Sequence, residues 1–258
     1  MGKNKYTNTN AAIIDKWVQN GWEWGRPVSH EDFLKAKNGE CNVLLTPNIF
    51  VPKDWFPPLK NKKLLGLASG GGQQMPVFAA LGADCTVLDY SDEQLASEKM
   101  VSERESYNIT IVKADMTERF PFDDNEFDII FHPVSNCFIE DVYHVWNECY
   151  RVLRDRGVLL AGMDNGICYL FDDIEKEPLV IVNKLPYNPL KNKEQYNKIN
   201  FENDNIQFSH TLEEQIGGQL KAGLIITDLY EDYSNEGVLK EYVPQFIATR
   251  AVKSKIIS

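Results

Sequence analysis

Residues 63–91, KLLGLASGGGQQMPVFAALGADCTVLDYS, constrain the chain more than any other stretch. Leu64, Leu65 and Leu67 form a short apolar run that Gly70-Gly71-Gly72 interrupts. Residues 75–81 continue with helical composition, and Thr86-Val87-Leu88 is a second apolar run ending on Asp89. Short apolar runs bounded by glycine read as buried strands, and the segment between them as a helix. The unit is strand, glycine turn, helix, strand, and it belongs to the α/β class.

Glycine is needed where backbone takes positive φ or lies against a ligand, and a helix start presents unpaired N–H groups that attract an anion. Residues 69–73 are therefore expected to receive a carboxylate or phosphate. Asp89, at the carboxyl end of the second strand, is expected to accept hydrogen bonds from the two hydroxyls of a ribose. The best frame for the dinucleotide fingerprint, Gly66-x-Ala68-x-x-Gly71, lacks the middle glycine and argues against close approach of a pyrophosphate. A plain crossover that binds nothing is the competing reading of the loop, and the rest of the chain has to separate the two.

Read as Gly66-x-Ala68-x-Gly70-x-Gly72, the loop resembles motif I of the class I S-adenosylmethionine (SAM) dependent methyltransferases, an acid-x-G-x-G-x-G. Gly66 stands where that family carries the acid that meets the cofactor's amino end, and Ala68 stands where it carries the first glycine. Phe120 to Asp128, FPFDDNEFD, resembles the loop L-P-F-x-D/E-x-x-F-D that leads into the family's fourth strand. RVLRDRGVLLAG resembles R-V-L-[K/R]-x-G-G-x-L, with Arg156-Gly157 at the turn. LASGGGQQMP and HPVSNC are similar to a bacterial subgroup of the type 11 methyltransferases. The resemblance covers about residues 60–252.

The resemblance implies a Rossmann-like seven-stranded sheet of order 3-2-1-4-5-7-6, last strand antiparallel, with helices on both faces and an N-terminal helical cap. Residues 1–60 are then cap, lid and linker, and 61–258 a SAM-binding methyltransferase domain with an insertion around 171–210. Strands are expected at 109–113, 127–131, 158–161, 224–230 and 245–252, and helices at 9–19, at 92–107 behind an N-cap at Ser91, at 141–153 and at 212–222. No crossover helix need separate the last two strands, which distinguishes this sheet from an all-parallel dinucleotide fold.

For the site, the resemblance implies SAM as methyl donor and S-adenosylhomocysteine (SAH) as product, with in-line transfer to a small-molecule acceptor. The cofactor residues would be Ala68, Ser69, Gly70, Gly72, Gln73, Asp89, Tyr90, Ser91, Gln94, Asp115, Met116, His132 and Pro133. Within that set Asp89 takes the ribose, Asp115 the adenine amino group, and Met116 and Tyr90 the ring. On the acceptor side, His132 is a candidate general base because imidazole titrates near neutrality. It is equally a residue that orients its loop. Asn136 is a candidate acceptor amide, Trp24 and Arg26 belong to a lid over residues 21–30, and Asn165 follows the fifth strand into the crevice.

Net charge of -11 and a pI near 4.9 disfavour a nucleic-acid partner, whose affinity rests on phosphate neutralisation by Lys and Arg. No h-region and no run of about 18 apolar residues appears, so the expected location is the cytoplasm, with no membrane partner. The five cysteines contain no C-x-x-C pair and the four histidines are scattered, which argues against disulfides and a metal site. Monomer and homodimer both remain open. Two alternatives stand beside the methyltransferase reading. One is a nicotinamide-dependent oxidoreductase, whose Y-x-x-x-K motif is matched only at Tyr187 and Lys191, where Pro189 would break the helix. The other is a protein that binds SAM without turnover.

Overall fold

A computed structural model describes residues 3–254. Seven strands form one sheet: β1 (Lys63–Leu67), β2 (Asp84–Asp89), β3 (Thr110–Lys113), β4 (Phe127–His132), β5 (Leu153–Asp164), β6 (Leu224–Asp232) and β7 (Phe246–Lys253). Their order is β3-β2-β1-β4-β5-β7-β6, with the first five parallel and β7 antiparallel to both β5 and β6. This is the expected sheet. Residues 233–245, which join β6 to β7, hold one 3-10 turn (Leu239–Glu241) and no crossover helix, and a parallel pair would need one.

Alternate residues of the central strands feed two apolar layers. Leu65 and Leu67 of β1 pack with Val145 and Trp146 of α5 (Val142–Val152), whereas Leu64 packs with Phe78 of α3 (Met75–Ala80) and Leu95 of α4 (Asp92–Glu105). β4 divides in the same way, with Ile130 in the first layer and Ile129 and Phe131 in the second. Both faces are covered by helices, so the middles of these strands, Leu64-Leu65 and Ile129-Ile130-Phe131, are apolar at consecutive positions instead of alternating with polar residues. α7 (Leu212–Lys221) lies beside α5, with Gly218 directly against the Trp146 ring. Ser91 caps α4 by accepting from the Gln94 backbone N–H at 3.1 Å.

Three local features differ from the sequence reading. α1 begins six residues before the expected start and runs Lys3–Gln19. A further helix, α2 (His30–Lys37), follows the Ser29 cap, with Phe33 and Ala36 buried. At the turn before the core of β5, the left-handed conformation belongs to Arg156 (φ 64) and not to Gly157. Gly157 is there for space: a Cβ on it would stand 2.8 Å from the Arg154 carbonyl oxygen.

Residues 41–56 cross the sheet and contribute Val43, Leu45, Val51 and Trp55 to the second apolar layer. They cross at Gly162, where a Cβ would lie 2.0 Å from the Leu45 carbonyl oxygen, so only glycine allows the passage. The 171–210 insertion contains α6 (Lys193–Asn197) and ends as a buttress for α1. Ile206 and Phe208 pack on Tyr6. The Asn10 side chain donates to the carbonyls of Ile206 (2.8 Å) and Phe138 (3.1 Å) and accepts from the Ile206 N–H (2.7 Å). The Phe208 N–H in turn reaches the Cys137 carbonyl at 2.8 Å. Helix, insertion and the loop after β4 are thereby tied together.

Candidate active site

Two adjoining cavities open at the carboxyl ends of β1, β2 and β4, where ligands bind in open α/β sheets. They share Ile14, Ala68, Asp89, Ser135 and Phe138. The smaller, about 70 Å³, is walled by Tyr90, Ser91, Ala114, Asp115 and Met116 and roofed by Thr7, Asn10 and Ile14 of α1. The larger, about 280 Å³, has Ala68, Ser69, Gly70, Gln73, Gln74 and Gln94 on one side. Trp22, Trp24, Leu44, Pro47, Val134 and Phe246 face them.

Asp89 stands where the two meet. Its Oδ2 accepts from the Gly70 N–H (3.0 Å) and its Oδ1 from the N–H groups of Tyr90 (2.8 Å) and Ser91 (3.0 Å). Burial pushes the carboxyl above its ordinary range, and these three hydrogen bonds oppose that shift. Gly70 permits the contact, since a Cβ there would lie 2.8 Å from Gln94 Cβ and 3.0 Å from Asp89 Oδ2. In the smaller cavity the Asp115 carboxylate holds the turn after β3, accepting from the Thr117 N–H (2.9 Å) and hydroxyl (2.8 Å).

The glycine loop differs from the anion cradle expected over residues 69–73. The N–H of Gly71 goes to the Gln94 carbonyl (2.9 Å) and that of Gly72 to Glu98 Oε2 (2.7 Å), so with Gly70 on Asp89 the loop spends its amides inside the protein. Gly72 lines neither cavity and packs toward Val101 and Ser97. The fully buried Glu98 carboxyl is pushed up to about 8 by desolvation, against the Gly72 hydrogen bond.

Segment 21–30 lies on this loop. The Val28 N–H donates to the Gly72 carbonyl (2.8 Å), and Gln73 Nε2 reaches the carbonyls of Glu23 (2.8 Å) and Arg26 (3.0 Å). Trp24 lines the larger cavity as expected of a lid residue, but the Arg26 side chain turns back to the Gly21 carbonyl and does not. Asn165 is also elsewhere. It organises the turn after β5, donating to the Pro244 carbonyl (2.8 Å) and accepting from the Ile167 N–H (3.1 Å).

His132 and Asn136 lie beneath the cavity floor, both fully buried, while Pro133, Val134 and Ser135 form its surface. His132 Nδ1 sits 3.0 Å from the Leu67 carbonyl and Nε2 2.9 Å from the Asn136 amide, which contacts Gln215 at 2.8 Å. Burial drives the imidazole toward its neutral form, which has a single N–H. One arrangement of the two amides satisfies this ring. Nδ1–H then donates to Leu67, the Asn136 NH2 to Nε2, and the Gln215 NH2, otherwise without a partner, to the Asn136 oxygen. Neither ring nitrogen is left to face an acceptor, and the geometry accords with the second of the two expectations, a residue that orients its loop, here by tethering β1 to the loop after β4.

Several lining residues carried no site signal in the sequence. The roof comes from α1, whose apolar positions read as core, and Leu44, Pro47 and Phe246 come from segments far from any motif. The lid expected over residues 21–30, with Trp24 in it, was the one available hint. Tyr187 and Lys191 take no part, since Tyr187 stacks on Tyr169 and Lys191 pairs with Glu140 at 2.9 Å. Among the described residues, no group of three His, Cys, Asp or Glu could hold a metal ion, and no helix is long and apolar enough to cross a membrane.

Comparison with known proteins agrees with this geometry. A family model described as a methyltransferase domain matches residues 65–161. The chain is 44% identical over 248 residues to the Bacillus subtilis (strain 168) protein named Uncharacterized methyltransferase YbaJ, which spans 95% of this chain and 97% of that protein. A crystal structure of an S-adenosylmethionine dependent methyltransferase from Mesorhizobium loti superimposes with TM-score 0.61 at 16% identity, covering 78% of this chain and 94% of that one. The [4+2]-cyclase SpnF also superimposes, with TM-score 0.54 at 16% identity over 76% of each chain, so the fold alone does not name the reaction. It is the near full-length relative, together with the matched domain and the sheet order, that decides: the chain belongs to the class I SAM-dependent methyltransferases.

Proposed function

We propose that this enzyme transfers a methyl group in line from SAM to a small, uncharged, largely apolar acceptor and releases SAH. The observation that carries the reading is the junction at Asp89, where a cavity walled by Asp115, Met116 and Tyr90 meets one walled mostly by carbon. When bound, SAM supplies an electrophilic methyl group on a positively charged sulfur.

The residues present fit such a group. Asp89 offers a carboxylate to ribose hydroxyls, Asp115 an acceptor to an exocyclic amine, and Met116 and Tyr90 apolar surface to a ring. Ala68, Ser69, Gly70, Gln73, Ser91, Gln94 and Pro133 line the path between the ends. Gly72 and His132 act from beneath it, by holding the loop on Glu98 and tethering β1 to β4's following loop.

On the acceptor side, Asp89 is the sole charged side chain among the described residues that line the larger cavity, and none of them neutralises an anionic acceptor. Trp22, Trp24, Leu44, Pro47, Val134 and Phe246 would orient an apolar body and exclude water. Orientation and dehydration are worth up to roughly 7–11 kcal/mol in well-aligned systems, and a reactive methyl donor needs little else. Calorimetric titration with SAM, SAH and NADH tests the reading. Binding of SAM and SAH without NADH is expected, and binding of NADH alone overturns it.

A further inference from the structure

We propose that a third cavity, between α1 and the 171–210 insertion, binds an organic cation: an alkylated ammonium carried on a small apolar body. It measures about 480 Å³ and shares no lining residue with the two cavities at the carboxyl ends of the strands. The proposal is independent of how that cleft is read.

Four aromatic side chains line it: Trp17 of α1, Tyr169 after β5, and Phe171 and Tyr187 of the insertion. The polar ends of two are already engaged. Trp17 donates its indole N–H to the Asn203 carbonyl at 2.9 Å, and the Tyr169 hydroxyl donates to Gln207 Oε1 at 2.8 Å. Ring contacts brace them further, Trp17 against Trp22 with centroids 5.2 Å apart and Tyr169 stacked on Tyr187 at 5.4 Å. What Trp17 and Tyr169 have left to offer a ligand is ring surface, fixed before the ligand arrives. The face of an aromatic ring is the negative side of its quadrupole and attracts a cation.

The charges of the lining point the same way. Asp172 accepts from Lys198 Nζ at 2.6 Å and from Asn183 Nδ2 at 3.1 Å, so aspartate and lysine satisfy one another. Asp204 pairs with no cation among the described residues, and its Oδ2 accepts the Asn200 backbone N–H at 3.2 Å. One lysine against two aspartates leaves one negative charge of the lining unmatched. The chain as a whole carries -11, which draws cations and repels anions.

The form of the cation follows from the walls. A primary ammonium has three N–H donors and needs three acceptors, which ring faces do not supply, whereas an alkylated ammonium presents carbon and spreads its charge over it. The volume exceeds what such a head needs, and Ile174 and Ile199 add apolar surface for a body attached to it.

The test is an NMR titration at constant ionic strength with choline and with 3,3-dimethylbutan-1-ol, its uncharged carbon analogue. The readout is the Trp17 indole N–H signal, which Trp17→Leu identifies by removing it. Choline is expected to move that signal saturably in the millimolar range or below, and the alcohol to bind about tenfold more weakly or not at all. Asp204→Asn keeps an acceptor for the Asn200 N–H at an exposed position and is expected to weaken choline by about twofold to fivefold. Trp17→Leu, followed at the remaining signals, is expected to weaken it by about tenfold, and the Asp204 variant serves should this one fail to fold. Equal binding of the two probes, or no saturable shift with choline, overturns the proposal. A choline affinity that neither variant alters puts the cation elsewhere and overturns it as well.

Discussion

The smaller cavity carries two carboxylates, Asp89 and Asp115, at the ends of β2 and β3, and every one of its walls except the α1 roof lies at the carboxyl end of a strand or in the loop that follows it. The far side of the larger cavity is mostly carbon, and its apolar walls come from residues 22, 24, 44, 47, 134 and 246. The first is local in sequence because each polar group must sit at a fixed point relative to a strand end. The second is assembled from distant segments because apolar contact asks only for surface in the right place. A methyltransferase can thus exchange its acceptor by changing loops while its nucleoside end stays on the sheet.

The sharpest way to break this comparison is at Asp89. Asp89→Ala removes charge-assisted bonds to a ligand and frees three backbone N–H groups, so SAH affinity should fall by about tenfold to a hundredfold in calorimetry. An unchanged affinity with an intact fold would remove Asp89 from the ribose.

His132 underlies both halves. His132→Ala removes the ring partner of the Leu67 carbonyl and of the Asn136 NH2 in a buried site, a cost of about 2–4 kcal/mol that thermal melting should show as a drop of several degrees. A variant that melts like the wild type would argue that the tether is not structural.

The support of the glycine loop has a pH signature. Burial raises the Glu98 carboxyl to about 8, so folding favours the protonated form, and this contribution is whole below the ordinary carboxyl range and lost as pH rises through about 8. Glu98→Gln keeps an acceptor for the Gly72 N–H and escapes that loss. It should melt a few degrees above the wild type near pH 9, with the gap closing toward about pH 5. A gap independent of pH would mean that Glu98 is not the group responsible.

The smallest effects should come from the carbon side and the exposed lid. Phe246→Ala and Arg26→Ala are each expected to leave SAH affinity within about twofold of the wild type, since neither touches a hydrogen-bonding group of the nucleoside end. A large loss from Phe246→Ala would show that the two halves are not separable.

How far the sequence could be read follows the same division. Asp89 was visible because apolar runs and glycine placement mark strand ends and the acid follows directly, whereas Asp115 and the strand order came with the family resemblance. Trp22 and Leu44 were indistinguishable from core, since an apolar side chain looks the same whether it faces a helix or a ligand. His132 could be read from the sequence in two ways, as a general base and as a residue orienting its loop, and the contacts with Leu67, Asn136 and Gln215 accord with the second. The glycine loop was read as a cradle because glycine is compatible with anion binding, yet glycine is equally required where a loop folds onto Gln94 and Glu98.

Asn10 has a kinetic consequence. Lifting α1 from the smaller cavity breaks its bonds to Ile206 and Phe138 together, and each buried group left bare costs about 1–3 kcal/mol. The roof therefore opens as a rare sub-global excursion and not as a ps–ns fluctuation, whereas the contacts of segment 21–30 with Gln73 are exposed to solvent and yield sooner. Traffic of ligands through the cleft should run by way of the tryptophans, with residence time set there, while the α1 amides exchange their hydrogens among the slowest of the N-terminal residues.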